Sequence, residues 1–390
     1  MSILSFFKKA EKEKLFVLDI GTEAVKALVF SYSPQKDNKE NNISVLDYAV
    51  EYFDEFSVWD SSNFSHDVIK RAISKVLHIF KEEAWQKLNL FVSLPGNLFK
   101  SRVIFQKIVR KNPKENISKS ENQMILNGVL ETAKKESAGI FSSKTGILPQ
   151  DLKFVGLKIL EIKIDGYEVP VLEGYAGEKL EFRILTQFLF KSYLDNFEKI
   201  MKQLHLNPQK IVHQSLTIAE IPPFPNAILF DVGGDITQIF IIRNGKMEIA
   251  DEIEFGAKIF NQRLSDVLGM DQGETRYFKE TYSQNLFSEG VRGKTKEILS
   301  GVAEDWMSAV KSKISDLKIL IPSNIFIYGG GSLIPEIGEA LENNFQGSQI
   351  TFLSLEYLKN IEFENHIKLS ADAQGMNALL IAAQKLNNFN

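Results

Sequence analysis

Cysteine is absent from the 390 residues, so neither a disulfide framework nor a thiolate-held metal is open to this chain. Histidine is almost as scarce. His66, His78, His205, His213 and His366 are the five, and none stands at HExxH or another ligand spacing, which argues against a zinc site. A dominant charge is also missing: a net charge of −4 leaves no general basic footprint, and no nucleic-acid partner is expected. No apolar run approaches the ~20 residues needed to span a bilayer. The first apolar cluster, Ile3 to Phe7, is too short for a signal peptide and lacks a cleavage site. A cytoplasmic chain is therefore expected. Core material, by contrast, is ample. Hydrophobic residues make up 44% of the chain and its 29 phenylalanines fall mostly in periodic apolar runs, enough for a substantial core in one to three domains.

The chain carries one short signature twice. LFVLDIGTEAVKALVF begins at Leu15 and AILFDVGGDITQIFII at Ala227. Aligned on Asp19 and Asp231, the copies share aliphatics before the Asp, a Gly two residues after it, an acidic residue (Glu23 or Asp235) and a second apolar run. Each reads as strand, tight turn, strand, and internal repetition fixes architecture before any single motif does. In the first turn Gly21 permits the tight backbone. Successive N–H groups at Gly21, Thr22 and Glu23 suit an anion nest, Thr22 adds a hydroxyl, and Lys26 offers a counter-charge. In the second, Gly233, Gly234 and Asp235 follow the same logic, and Thr237 supplies a hydroxyl. Two such turns facing each other would clamp a polyphosphate. Asp19 and Asp231 stand where a carboxylate holds Mg²⁺, largely through water, since that ion keeps several waters and takes few protein carboxylates. Asp235 fits awkwardly: a further carboxylate near a terminal phosphate repels it, which favours binding over fast hydrolysis.

A third glycine run, YGGGSLIPEIGEAL at 328–341, places Gly329, Gly330, Gly331 and Ser332 between a strand and a helix, where a base or phosphate approaches the backbone closely. Elsewhere, periodicity predicts strands at Leu15–Asp19, Ala24–Phe30 and Ile43–Tyr52, a helix over Asp67–Glu83, and a strand in NLFVSLPG. A helix is expected over Ser120–Ser137, its start marked by SKSE at 118–121. Strands follow at Phe154–Ile164 and Lys179–Phe190, then a helix at Tyr193–Leu204. Later strands are Ala227–Asp231, Ile236–Arg243, Lys246–Glu254 and Asn324–Tyr328, with Asn244-Gly245 as a hairpin turn. Residues 257–317 read as mainly helical, as do Asp372–Lys385. The locally basic stretch 100–114 reads as a solvated strand edge. Interleaved strands and helices make the class α/β.

The triple glycine pattern resembles the phosphate-1, phosphate-2 and adenosine motifs of the actin/hexokinase/Hsp70 superfamily. Within it the chain is most similar to FtsA cell-division proteins and to the PilM proteins of type IV pilus platforms. The stretch IDGYEVPVLEGYAGEKLEFRIL at 164–185, with Asp165, Gly166, Pro170, Gly174, Gly177 and Leu180, is the most FtsA-like. The resemblance implies an actin-like duplicated fold of two ribonuclease-H-like halves with an FtsA-type 1C (SHS2-like) insert. Its expected divisions are a tail at 1–14; a first half from 15–88, 191–222 and 368–390; the insert at 89–190; and a second half at 223–367. It implies ATP with Mg²⁺, places Gly256 of FGAKIFNQRLSDVLGM near the nucleotide, and makes Lys279 the retained part of a ribose- or base-contacting Ala-Glu-x-x-Lys run. The phosphate-2 pattern departs from the FtsA form, with Asp235 and Ile236 in place of Gly and Thr. For a catalytic group only Gln214 and Glu220 are candidates.

Three functions compete on this resemblance. One is an FtsA-like scaffold that binds ATP, polymerises head to tail and links a tubulin-like division ring to the membrane at the septum. A second is a PilM-like cytoplasmic platform binding a peptide from an inner-membrane pilus protein. The third is a sugar kinase, for which no carboxylate base or sugar loop is evident. The end, LLIAAQKLNNFN, reads as a core helix and a polar stub with no amphipathic anchor. Residues 1–9, with Ile3, Leu4 and Phe7 beside Lys8 and Lys9, form a weak interfacial candidate for contact with the inner face of the membrane.

Overall fold

Hydrophobic alternation on either side of Asp19 folds into a hairpin. Strands β1 (Glu13–Ile20) and β2 (Ala24–Ser33) pair antiparallel with Asp19 opposite Lys26, and β3 (Asn42–Tyr52) extends the meander. The computed structural model describes residues 13–33, 42–54, 59–60, 63–80, 88–216, 218–220, 224–353, 357 and 361–363. After the short pair β4 (Trp59–Asp60) and β5 (Asn63–Phe64), helix α1 (His66–Ile79) buries Val68, Ile69, Ile73, Val76 and Leu77 against the sheet. That stripe is the 3.6-residue pattern of the sequence; the expected continuation over 81–83 lies outside the described residues. Strand β6 (Asn89–Ser93) then runs parallel to β1 and sets Ser93 beside Asp19.

Between β6 and the next element of this half lies an inserted layer. It comprises β7 (Phe99–Val109), α2 (Lys119–Thr145), β8 (Leu152–Ile164), β9 (Tyr167–Glu168) and β10 (Lys179–Phe190), in the sheet order β7-β10-β8-β9. The basic stretch is strand β7, an edge strand as its lysines suggested. Helix α2 is longer than its periodicity predicted and stops where Gly146 takes φ 72°. Ser118 caps it, accepting from the Glu121 N–H at 3.2 Å, but the Glu121 carboxylate turns away to Arg110 instead of closing a capping box. The glycines of 164–185 serve this layer's own turns. Asp165 (φ 51°) and Gly166 (φ 87°) form the β8–β9 turn, and the Asp165 carboxylate accepts the N–H groups of Glu178 and Lys179 at 3.1 and 2.7 Å.

Helix α3 (Lys191–Gln203) and strand β11 (Lys210–Val212) return the chain to the first sheet, whose order is β11-β6-β1-β2-β3-β17, the last being Ile361–Phe363. The second half repeats the plan. Strands β12 (Ala227–Val232), β13 (Thr237–Arg243), β14 (Lys246–Ile253), β15 (Asn324–Tyr328) and β16 (Gln349–Phe352) are ordered β14-β13-β12-β15-β16. In both halves a three-strand antiparallel meander is followed by two parallel strands, so the repeated signature reflects a repeated fold. Helices α4 (Lys258–Leu268), α5 (Gln272–Ser283), α6 (Glu289–Leu317) and α7 (Pro335–Asn344) pack on one face around Trp306 and Phe260. The region read as one helical stretch breaks after Leu268, where Gly269 takes φ 70°, and again before Glu289. Strands β16 and β17 were not legible in the sequence: four and three residues are too few for a period. Residues 1–9 and the helix expected at 372–385 lie outside the described residues. Among the described residues no helix is long and apolar enough to cross a membrane.

Candidate functional site

The two Asp-x-Gly turns face each other across one cleft of about 370 Å³. The first is closed by the Gly21 N–H on the Ala24 carbonyl at 2.8 Å, the second by the Gly233 N–H on the Ile236 carbonyl at 3.0 Å. Trp59 braces the first turn, its indole N–H donating to the Gly21 carbonyl at 2.9 Å. The turns nearly touch. A Cβ on Gly234 would overlap the Thr22 hydroxyl and stand 2.9 Å from Glu23 Cγ, so only glycine lets them meet. Further ties cross the gap: Asn261 Nδ2 donates to Glu23 Oε1 at 2.8 Å, and Asn97 Nδ2 to Asp235 Oδ2 at 3.1 Å.

Of the residues singled out by sequence, Asp19, Gly21, Thr22, Glu23, Lys26, Gln214, Asp231, Gly233, Gly234, Asp235, Lys279, Gly329 and Gly330 line the cleft. Four others stand behind it. The Thr237 hydroxyl donates to the Phe255 carbonyl at 2.7 Å and accepts from the Trp306 indole at 3.0 Å, so it is spent in the core. The Ser332 hydroxyl donates to the Gly329 carbonyl at 2.7 Å. Gly256 packs on the second turn: a Cβ there would lie 2.5 Å from the Gly234 carbonyl carbon. Gly331 lets its loop approach β12 and α4, its virtual Cβ 2.9 Å from that of Ala257. Glu220 sits in a short 3-10 turn, and its side chain is outside the described residues.

The electrostatics suit an anion with its cation. Asp19 is 4% exposed, and burial raises its pKa against the opposing pull of Lys26, whose ammonium is 3.7 Å away. Its Oδ2 is buried, with Lys26 as charge partner at 3.7 Å but no hydrogen bond among the described residues, so it keeps lone pairs for a metal or the metal's waters. Asp235 is also pushed up by burial, against the pull of Lys258 at 2.6 Å. Lys279 is 8% exposed, lines the cleft, and forms no hydrogen bond or ion pair among the described residues. With no protein counter-charge and a place on the cleft wall, its ammonium is available to a phosphate bound there. Neither the spacing of Lys279 nor its type shows that it lacks a partner; only the packing does.

Sequence reasoning missed several lining groups. Tyr52 and Arg276 stack at the cleft, with Arg276 Cζ 4.5 Å from the Tyr52 ring and its Nη2 donating to the Phe53 carbonyl at 3.0 Å. Ser93, Gly96 and His213 line the floor. Gln214, the candidate for catalysis, is held by its neighbours. Its amide nitrogen donates to Asp231 and, at 3.0 Å, to Gln238, while its oxygen accepts from the Tyr328 hydroxyl at 2.9 Å. Gly329, at φ 90°, lets its loop press against β12, where a Cβ would sit 2.6 Å from the Val232 carbonyl oxygen.

No protein-family model matches the chain, and no curated protein matches it in sequence. Among solved structures, one described as the PilM-PilN type IV pilus biogenesis complex is similar over 96% of this chain and 97% of that one, at 13% identity and a TM-score of 0.67. Weaker likenesses are the ethanolamine utilization protein EutJ from Carboxydothermus hydrogenoformans (12% identity, 87% and 84% of the two chains, TM-score 0.46) and MreB 5 of Spiroplasma citri bound to AMPPNP (10%, 87% and 91%, 0.43). At such identities the likeness speaks for the fold alone. With the duplicated strand order of its two halves, the chain has a mixed α/β architecture, and its fold is that of the PilM-PilN structure.

Proposed function

We propose that this chain is a non-metabolic, nucleotide-binding scaffold that holds Mg²⁺-ATP between its two hairpin turns and hydrolyses it slowly. The observation that carries this reading is one cleft lined by both Asp-x-Gly turns, by Lys279, which has no hydrogen bond or ion pair among the described residues, and by the buried Asp19 carboxylate. Asp19 and Asp231 are the residues to hold the metal, which would neutralise phosphate charge; no step is assigned to it beyond that. The N–H groups of Gly21–Glu23 and Gly233–Asp235 would receive the phosphates. Gly329 and Gly330 would let the base approach. Slow turnover follows from Gln214: with its amide engaged by Asp231, Gln238 and Tyr328, it is poorly placed to orient a water. Turnover well below the ~10 s⁻¹ typical of enzymes is expected.

Two finer readings differ in partner. The PilM-type reading is a cytoplasmic platform that takes a peptide from an inner-membrane pilus protein, and the likeness along nearly all of both chains supports it. The FtsA-type reading is a head-to-tail polymer joining a tubulin-like division ring to the membrane, with residues 1–9 as a weak contact; it rests on the 164–185 resemblance. Calorimetry with Mg²⁺-ATP tests the shared claim: saturable one-to-one binding that weakens at least tenfold in Asp19→Asn supports it, and no binding refutes it. Sedimentation with and without nucleotide separates the finer readings, since only the FtsA type requires filaments.

A further inference from the structure

We infer that the nucleotide cleft controls how the inserted layer is seated, through a continuous buried chain of side chains that begins at Asp231. The inference rests on the nucleotide reading of the cleft and adds its regulation. From Asp231 the chain passes to Gln214, which donates to Gln238 at 3.0 Å. His213, the chain neighbour of Gln214, lies beside Gln238, and His213 Nδ1 meets the Ser215 hydroxyl at 3.0 Å. Ser215 accepts from Gln187 Nε2 of β10 at 2.6 Å and lies 3.0 Å from the Ser101 hydroxyl of β7. From Gln214 to Gln187 every member is 5% exposed or less, and water can reach the network only from the cleft wall at Gln214, Gln238 and His213, so a change there is passed on toward Ser215 and Gln187. Strands β7 and β10 are the first and last of the inserted layer. Four strands, β7, β10, β12 and β13, and the 213–215 segment thus meet in one polar network.

A second contact follows the same route. The turn leading from β6 into β7 rests on the second hairpin: Gly96 leaves room for the Gln238 amide, where a Cβ would lie 2.8 Å from its carbon, and Asn97 bonds Asp235. Phe99, which opens β7, stacks on His213 with ring centroids 4.6 Å apart. Movement of the Asp231–Gln238 hairpin toward a phosphate would therefore pull on both the polar chain and the turn into the layer.

The layer has the freedom to respond. It joins the first half by the short connections before Phe99 and after Phe190. To the second half it is fastened by an apolar cluster that joins Leu185 to Phe240, Met247 and Ala250, and by side-chain ion pairs to the outer strand β14. Lys100 pairs with Glu252, and Lys246 with Glu161 at 3.1 Å and Glu168 at 2.5 Å. The half-exposed Lys246–Glu168 pair rearranges at modest cost, so this edge of the layer can shift when the halves move, while the mostly buried Lys100–Glu252 pair transmits the movement. Linkage makes the effect reciprocal: a partner docking on the layer changes nucleotide affinity by the factor by which nucleotide changes its docking.

Hydrogen exchange on the full chain tests this, with calorimetry on the same samples. Saturating Mg²⁺-ATP is expected to slow exchange of the β7 and β10 amides at least about fivefold, the lower end of ordinary coupling. In Gln187→Met, which keeps the volume and removes the amide, nucleotide should bind within about threefold of wild type while the slowing in β7 and β10 is lost. Lys246→Met should raise basal exchange in the layer without cutting the chain, so the nucleotide effect persists. In ligand-free protein, Asp231→Asn should alter exchange around Gln187, a readout independent of nucleotide binding. Binding that protects only 19–26, 231–238 and 329–334 would overturn the coupling and leave the nucleotide reading intact, as would a Gln187→Met protein that responds like wild type. Absence of binding would overturn the nucleotide reading; an unchanged layer in Asp231→Asn would then overturn the coupling too.

Discussion

Replacing Lys279 by Met should cost affinity and leave stability nearly unchanged. In the free protein Lys279 lines the cleft with no hydrogen bond or ion pair among the described residues. Methionine keeps the length of the stem and breaks no protein contact of the ammonium. A change within about 0.5 kcal/mol in urea unfolding is expected. With nucleotide bound, the same ammonium has a phosphate to meet. A hydrogen bond to a charged group is worth about 1.5–3 kcal/mol, so the dissociation constant for Mg²⁺-ATP should rise roughly 10- to 150-fold. The assays are urea denaturation without ligand and calorimetry with it, on the same preparations. A variant that is less stable than wild type and binds equally well would refute the reasoning, because Lys279 would then be a structural residue with a hidden partner.

Three further substitutions probe the cleft. Gly256→Ala places a Cβ 2.5 Å from the Gly234 carbonyl carbon; overpacking of this kind costs about 1–3 kcal/mol, read as a lower urea midpoint together with weaker nucleotide binding. Asp235→Asn removes a partly exposed carboxylate that would face a terminal phosphate, and should tighten Mg²⁺-ATP by about threefold or more; weaker binding would show that Asp235 serves the ligand. His213 is held down to about 3 by burial, from an ordinary value of 6.5. The unfolded chain protonates this residue below pH 6.5 and the folded chain does not, so His213 makes stability fall as pH drops from 6.5 toward 3, by up to about 1.4 kcal/mol per pH unit. Asp19, Asp235, Glu252 and Glu336, raised by burial, act in the opposite sense. The comparison is therefore between wild type and His213→Gln, whose pH–stability curves should diverge below pH 6.5; parallel curves would show that His213 is not buried neutral.

The repeated hairpins were legible because each carries its own local chemistry. Alternating aliphatics specify the strands, and Gly21 or Gly233 the turn, without help from distant residues. Their meeting across a cleft was legible only through the duplication. The reach of other residues was not: Thr237 matched the phosphate-2 pattern, yet its hydroxyl belongs to Phe255 and Trp306. Gly256 and Gly331 matched as nucleotide contacts, but their missing Cβ atoms make room for protein backbone and side chains. Gln214 is a glutamine in the connecting segment, and nothing in sequence reveals that three buried groups share its amide. The stretch 164–185 carried the resemblance to FtsA proteins, and its glycines are accounted for by turns within the inserted layer. In each case the residue type is local information and the partner is tertiary.

The most direct measurement of the central claim is a crystal structure with Mg²⁺ and a non-hydrolysable ATP analogue. The account predicts phosphates between the 21–23 and 233–235 turns, the metal beside Asp19 and Asp231, and Lys279 within hydrogen-bond distance of the ligand. Nucleotide bound elsewhere, or in this cleft with Lys279 turned away and Asp19 still without a cation, would contradict it.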